Sequence, residues 1–379
     1  MKRSDLGLDR PYRQAPSDQR AAVSNEKNVI RRIRRIGAAS TTEVQNVARR
    51  TRSFSAAGRI FPAIAALMLG TAGSLVTASP AQAAPGGDAI IEETTFALGG
   101  GAQRGQVVTC PPGTRVTGGG VGTTATNVHS TVLVSGPLDE TGTTAATDDG
   151  DIATSWYAAV YNRGLREDPP TIYKVFALCL ANSDAVIEAT TVTPSMTSYG
   201  GHGVATCPAG RRLVGGGLGT TFPYVDHSYL AGSSWQMQHS GPLDETGTTA
   251  ATDDGDIARY WYASWRTTEG GPPRTVKVFA LCSATSDAVI EATAFNVPAS
   301  GRRGAVAECP SGRRVTGGGV GTPTTPVNDY ILISGPLDAS GTTAGTSDGD
   351  VARYWYAHAY NFDSWSSDRV YKVFALCSS

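Results

Sequence analysis

No stretch of this chain carries a convincing 3.6-residue apolar period, so helices are not expected to build the fold. There is no Cys-x-x-Cys, no Gly-x-Ser-x-Gly and no pair of histidines at the spacing of a helical metal site. Zinc ribbons, the nucleophile elbow of hydrolases and helical zinc sites are therefore not indicated. Glycine is abundant, 45 of 379 residues, yet lacks the three-residue period of collagen, and a 40% apolar content argues against disorder. Charged residues are scarce, at 17%. Residues 84–379 hold 18 Lys+Arg against 28 Asp+Glu, a net −10. A nucleic-acid surface needs clustered excess Lys/Arg and is not expected there.

The formal net charge of −1 conceals a basic leader, because residues 1–83 carry 14 Lys+Arg against 5 Asp+Glu, a net +9. Ile60 to Val76 contains no charge and follows Arg49, Arg50, Arg52 and Arg59. Ala81-Gln82-Ala83 then supplies small residues at the positions a signal peptidase reads. This order predicts a secretory signal with an extended basic leader over 1–83, cleaved between Ala83 and Ala84. The apolar stretch is short for a membrane span and is diluted by Pro62, Gly70, Gly73 and Ser74. Membrane contact is thus expected only through this segment before cleavage.

The rest of the chain is one unit written three times. Asp88-Ala-Ile-Ile-Glu92 recurs from Asp184 and Asp287, and Cys110-Pro111 recurs at Cys207 and Cys309. A glycine triplet follows at Gly118, Gly215 and Gly317, then Ser-Gly-Pro-Leu-Asp at Ser135, Ser240 and Ser334. Each copy ends on Lys-Val-Phe-Ala-Leu-Cys at Cys179, Cys282 and Cys377. The boundaries fall at 84–183, 184–286 and 287–379. Solenoid repeats are about 20–50 residues long, so units of this size are expected to hold cores of their own. The four-residue junctions Leu180–Ser183 and Ser283–Ser286 allow either a stiff rod or a compact pseudo-threefold cluster.

The six cysteines fall two per unit, and the repeat selects the pairs Cys110/Cys179, Cys207/Cys282 and Cys309/Cys377. Export makes disulfides the default state, each adding about 4 kcal/mol for a loop of this length. In the first unit short apolar runs are separated by Gly, Pro and Asp turns. Val107–Cys110, Arg115–Thr117, Ser130–Val134, Ser155–Tyr161 and Ile172–Cys179 read as strands, and Ala89–Glu92 as an edge strand. The last of these is apolar on both faces, which predicts a strand buried on two sides. The expected class is all-β: three tandem antiparallel sandwich or barrel-like domains, each closed by one disulfide.

Three features invite a functional reading. Clustered carboxylates at Asp149/Asp151, Asp254/Asp256 and Asp348/Asp350 suggest a Ca²⁺ site or a solvated Asp-Gly turn. The glycine triplets lack the following Lys-Ser/Thr of a phosphate loop. They read instead as places where a backbone or a ring comes close, with Trp156, Trp261 and Trp355 as candidate rings. Each of those tryptophans precedes a tyrosine, and strand alternation sends the two side chains to opposite faces, one of them a possible sugar platform. Trp235, in an insertion of the second unit with Met237 and His239, and Trp365, in a polar stretch of the third, are candidate ligand contacts.

The motifs Cys-Pro-x-Gly-x-Arg-Val-x-Gly-Gly-Gly, Ser-Gly-Pro-Leu-Asp, Asp-Gly-Asp-x-Ala-x-x-Trp-Tyr-Ala and Lys-Val-Phe-Ala-Leu-Cys together resemble a group of secreted, mostly actinobacterial repeat proteins. That resemblance implies export and β-rich repeats and carries over no site residue. The expected function is a secreted, non-catalytic repeat protein with a multivalent binding or structural role at the cell envelope or outside the cell, toward a glycan or a protein. A secreted hydrolase using the Asp-rich loops and a calcium-stabilised scaffold are the alternatives.

Overall fold

The structure is a computed structural model. It describes residues 88–126, 128–193, 200–221, 235–267, 275–323, 329–362 and 367–379. The leader, with the expected cleavage at Ala83/Ala84, and Trp365 lie outside the described residues. Unit 1 supplies β1 (Ile90–Leu98), β2 (Gln103–Thr109), β3 (Thr114–Thr123), β4 (Ser130–Leu138), β5 (Ser155–Asn162) and β6 (Thr171–Ala181). Unit 2 supplies β7 (Val186–Val192), β8 (Gly200–Thr206), β9 (Arg212–Thr220), β10 (Trp235–Leu243), β11 (Tyr260–Thr267) and β12 (Val276–Ser283). Unit 3 supplies β13 (Val289–Val297), β14 (Arg302–Glu308), β15 (Arg314–Gly321), β16 (Asp329–Leu337), β17 (Tyr354–Asn361) and β18 (Arg369–Ser378). The fold is all-β and antiparallel, with one disulfide per unit in the expected pairing.

The sheets are shared between units. Sheet A runs β1-β6-β3-β16-β17-β14, sheet B runs β2-β5-β4-β9-β12-β7, and sheet C runs β13-β18-β15-β10-β11-β8. Each sheet therefore joins three strands of one unit to three of another, and each unit spans two sheets. Of the two arrangements left open by the short junctions, the chain adopts the compact pseudo-threefold one. Within each unit the disulfide runs from the end of a strand in one sheet to the last strand of the unit in the next. Cys110 follows β2 in sheet B and Cys179 lies on β6 in sheet A. Cys207/Cys282 ties sheet C to B, and Cys309/Cys377 ties A to C. Every pair of sheets is thus stapled once.

The glycine triplets explain how three sheets approach so closely. A Cβ on Gly118 would lie 2.7 Å from Gly317 Cα, one on Gly317 2.8 Å from Gly215 Cα, and one on Gly215 3.2 Å from Gly118 Cα. The first glycines thus meet in a closed ring. The middle glycines Gly119, Gly216 and Gly318 lie under the indoles of Trp156, Trp261 and Trp355, whose Cγ atoms would be 2.6 Å from an added Cβ. The third glycines meet the backbone of the adjoining unit at Gly335, Gly136 and Gly241, each 2.6 Å from an added Cβ. All three indoles are 1% exposed, and their Nε1 atoms donate to Ser135, Ser240 and Ser334 at 3.0, 3.1 and 2.9 Å. A void of about 10 Å³ remains among these glycines, serines and tryptophans, room for no more than one water.

Candidate functional site: the joints between units and three open sheet faces

The Asp-Gly-Asp loops are joints. Gly150 N–H donates to Ile187 O at 2.8 Å and Ile187 N–H donates to Asp151 O at 2.9 Å, so the loop of unit 1 pairs with the first strand of unit 2. Gly255 and Asp256 repeat this with Ile290 of unit 3, and Gly349 and Asp350 with Ile91 of unit 1. The side chains reinforce the pairing. Asp149, Asp254 and Asp348 accept from the backbone N–H of Ala189, Ala292 and Glu93 at 2.5, 2.6 and 2.5 Å. Asp151, Asp256 and Asp350 each accept, at 2.7 Å, from the N–H of Asp148, Asp253 and Ser347 that opens the turn. The central glycines have φ of 84, 81 and 80°, a conformation that glycine adopts without strain. The solvated-turn reading thus gains a specific task. Among the described residues no group of three or more His, Cys, Asp or Glu side chains is arranged to hold a metal ion. The upstream Asp139 and Asp244 turn to their own loops, accepting from Thr141 and Thr147 and from Thr246 and Thr252.

A buried lysine seals each joint. Lys277 Nζ donates to Ala145 O, Thr147 O and Asp148 Oδ1 at 3.0, 2.9 and 2.6 Å. Lys372 does the same with Ala250, Thr252 and Asp253 at 3.1, 2.9 and 2.6 Å. At the joint that closes the ring, unit 3 has Ser347 where the other loops have an aspartate. Lys174 there donates to Thr346 O at 2.7 Å and pairs with Glu93 Oε2 at 2.8 Å, an ion pair without hydrogen-bond angles. Glu93 stands where the other units have Ala189 and Ala292. One carboxylate thus pairs with the lysine at each joint, but at the closing joint it has moved from the loop to the strand.

These loops divide each sheet into a covered and an open half. The loop of unit 1 lies over the β9–β12 half of sheet B, where Thr144 meets Gly219 and Lys277 is capped. This covering is why the final strands are buried on both faces, as the sequence predicted. Among the described residues the outer face of the β2–β5–β4 half has no Asp loop over it, nor do its counterparts β8–β11–β10 and β14–β17–β16; in unit 3 Val128 packs on part of that face.

The strand registers set out the same nine positions on each open face. The first row is Val107, Tyr157 and Gly136 in unit 1, Val204, Tyr262 and Gly241 in unit 2, and Val306, Tyr356 and Gly335 in unit 3. The tyrosines are partly exposed while the preceding tryptophans are core, as alternation requires. The second row reads Gly105, Ala159, Val134, then His202, Ser264, His239, then Gly304, His358, Ile333. The third reads Gln103, Tyr161, Thr131, then Gly200, Arg266, Gln236, then Arg302, Tyr360, Tyr330. The first row is constant and the other two differ in every unit.

Unit 2 fills its face from within. His239 is buried, edge-on to Tyr262 at 4.6 Å, and burial pushes its imidazole down to about 3. Trp235 departs from the expectation of a surface contact. It is fully buried on β10, stacked on Trp265 at 5.5 Å, and its Nε1 donates to Leu133 O at 2.7 Å. An apolar ring with a backbone acceptor in reach is worth more inside the core than in a loop. Unit 3 instead keeps a cleft of about 230 Å³ between its open face and its own Asp loop, lined by Thr123, Val128, Ile333, Thr343, Tyr356 and His358 among others. Burial and the nearby Arg302 hold His358 neutral, lowered to about 4. Beyond the cleft, Tyr330, Tyr360 and Phe362 form a ring cluster with centroids 5.8 to 6.1 Å apart, and Phe362 is 51% exposed. The tyrosines were within reach of strand alternation. The cleft was not, because its walls come from units 1 and 3.

Three disulfides fit an oxidising, extracellular setting, and no helix among the described residues is long and apolar enough to cross a membrane. Searches against family models and curated proteins found no match to the chain.

Proposed function

We propose that this chain acts, after export, as a non-catalytic binding protein at the cell envelope or outside the cell, presenting three chemically different faces on one disulfide-locked body. The observation that carries this reading is the split between what repeats and what varies. The glycine triplets, the Ser-Gly-Pro-Leu-Asp serines, the Asp-Gly-Asp loops, the tryptophans and the terminal Lys…Cys strands all serve to join units to one another or the two sheets within a unit. Residues that differ between units include two rows of each open face, where Gln103 and Tyr161, His202 and Arg266, and Arg302, His358 and Tyr360 are exposed or partly exposed. Three non-identical faces on one rigid body suit simultaneous contact with a glycan or protein partner, with the second contact made at high effective concentration.

A hydrolase reading gains little. The Asp-loop carboxylates already accept backbone N–H groups, and a glycosidase needs two carboxyls facing each other across a cleft. The test is retention of residues 84–379, with disulfides intact, on isolated cell-envelope material and on envelope-derived protein fractions. Specific, saturable retention without turnover of the material is expected. Absence of retention on every fraction, or release of soluble products, would overturn the proposal.

A further inference from the structure

We infer that the open face of unit 3 is a binding strip for an extended, uncharged carbohydrate chain, with one ring seated in the cleft at Tyr356 and His358 and the next rings stacked along Tyr360 and Phe362, which the buried Tyr330 backs. This rests on the binding reading above and names its site and ligand class. Tyr356, His358 and Tyr360 project from the same face of β17, and Phe362 follows directly after the strand. Six residues of strand span about 20 Å, long enough for several sugar rings in a row. The cleft has an apolar floor at Val128 and Ile333 and a rim of hydroxyls and imidazole at Thr123, Thr343, Tyr356 and His358. That mixture suits a pyranose, which offers C–H patches to apolar surface and hydroxyls to polar groups. No carboxylate stands on the nine-position face. Its one cation, Arg302, lies over the Tyr360 ring at 5.8 Å and donates to Val128 O at 2.7 Å. The neighbouring Arg163 lies over Tyr330 at 4.6 Å. Both guanidiniums thus brace the rings.

The other two faces show that the strip belongs to unit 3. Unit 1 has Ala159 and Thr131 where unit 3 has His358 and Tyr330, and unit 2 fills the Ile333 position with a buried imidazole. They also supply substitutions the fold already tolerates. Titration calorimetry of residues 84–379 with cellohexaose, maltohexaose and chitohexaose, and with polygalacturonate as an acidic arm, tests the inference. At least one neutral hexasaccharide should bind. The variant His358→Ala, which gives the cleft the residue that unit 1 has there, should weaken that binding at least tenfold while the protein still unfolds in one cooperative transition. Phe362→Ala, at an exposed position, should weaken it by a smaller factor. Binding of none of the neutral sugars, binding of the acidic polymer alone, or full affinity in both variants would overturn the inference. Envelope retention that persists alongside any of these results would leave the broader binding role standing and remove only this strip.

Discussion

The closing joint allows the sharpest test of how three similar units assemble in one order. Replacing Glu93 by Ala leaves Lys174 buried, with Thr346 O as its remaining hydrogen-bond acceptor and no carboxylate. The Lys174 side chain is 10% and the Glu93 side chain 18% exposed, so the pair is mostly but not fully desolvated. Stranding a fully buried charge costs about 3–5 kcal/mol, and exposed pairs are worth about 1 or less. Glu93→Ala should therefore cost about 2 kcal/mol. Ser347→Asp alone places a second carboxylate beside an already paired lysine and should be neutral or cost about 0.5 kcal/mol. Together the two substitutions recreate the arrangement of Lys277 with Asp148 and of Lys372 with Asp253. The double variant should therefore recover to within about 0.5 kcal/mol of the parent, a coupling of about 2 kcal/mol. Urea unfolding of the disulfide-intact protein, with all four members of the cycle at one pH and ionic strength, reads this out as shifts in midpoint at constant slope. A coupling near zero, or a double variant no better than Glu93→Ala, would refute the view that the carboxylate was relocated to serve the same lysine.

Other consequences are more local. Gly215→Ala puts a methyl into the ring of first glycines, where backbone cannot retreat, and should cost about 3 kcal/mol, while the same change at the partly exposed Gly99, which has open space, should cost little; a small loss at Gly215 by thermal melting would contradict the close approach. Folding lowers the His239 imidazole from its ordinary 6.5 to about 3. Between those values the unfolded chain binds the proton and the folded chain does not, so stability rises with pH there and is lost as pH falls from about 6.5 toward 3, by up to about 1.4 kcal/mol per unit. His239→Val, the residue of unit 1 at that position, should flatten the slope in denaturation midpoints between pH 6.5 and 4, leaving the smaller contribution of His358; identical slopes would count against it. Asp149→Ala should destabilise by about 1–2 kcal/mol through the lost acceptor for Ala189 N–H, whereas EDTA should move the melting temperature by less than about 1 °C; a large EDTA effect would reinstate a calcium site.

Much of this architecture was legible because it is local. The pleat alternates every residue, so Trp156 inside and Tyr157 outside follow from adjacency alone. A run apolar on both faces, such as Val175 to Cys179, can only be a covered strand. Two cysteines in each of three like units name their own pairs. The triplet glycines announced close approach, and the tryptophans proved to be one of the bodies that approach.

The remainder depends on pairings distant in sequence. Nothing in Asp148-Asp149-Gly150-Asp151 says that its partner is the first strand of the next unit, since a turn and a joint need the same residues. Trp235 looked like a surface contact because the second unit is longer between Cys207 and Ser240, but it opens β10, and only the neighbouring Trp265 and Leu133 O make it core. By itself the sequence determined a three-fold repeated, antiparallel β chain with one disulfide per unit, because strand period, turn residues and cysteine spacing act over a few residues or within one copy. Only the tertiary structure decided that every sheet is shared and that unit 3 closes onto unit 1. It alone showed which half of each sheet stays open. Near-identical copies offer near-identical edges, the glycine ring is the same at all three contacts, and the joints differ in where one carboxylate meets one buried lysine.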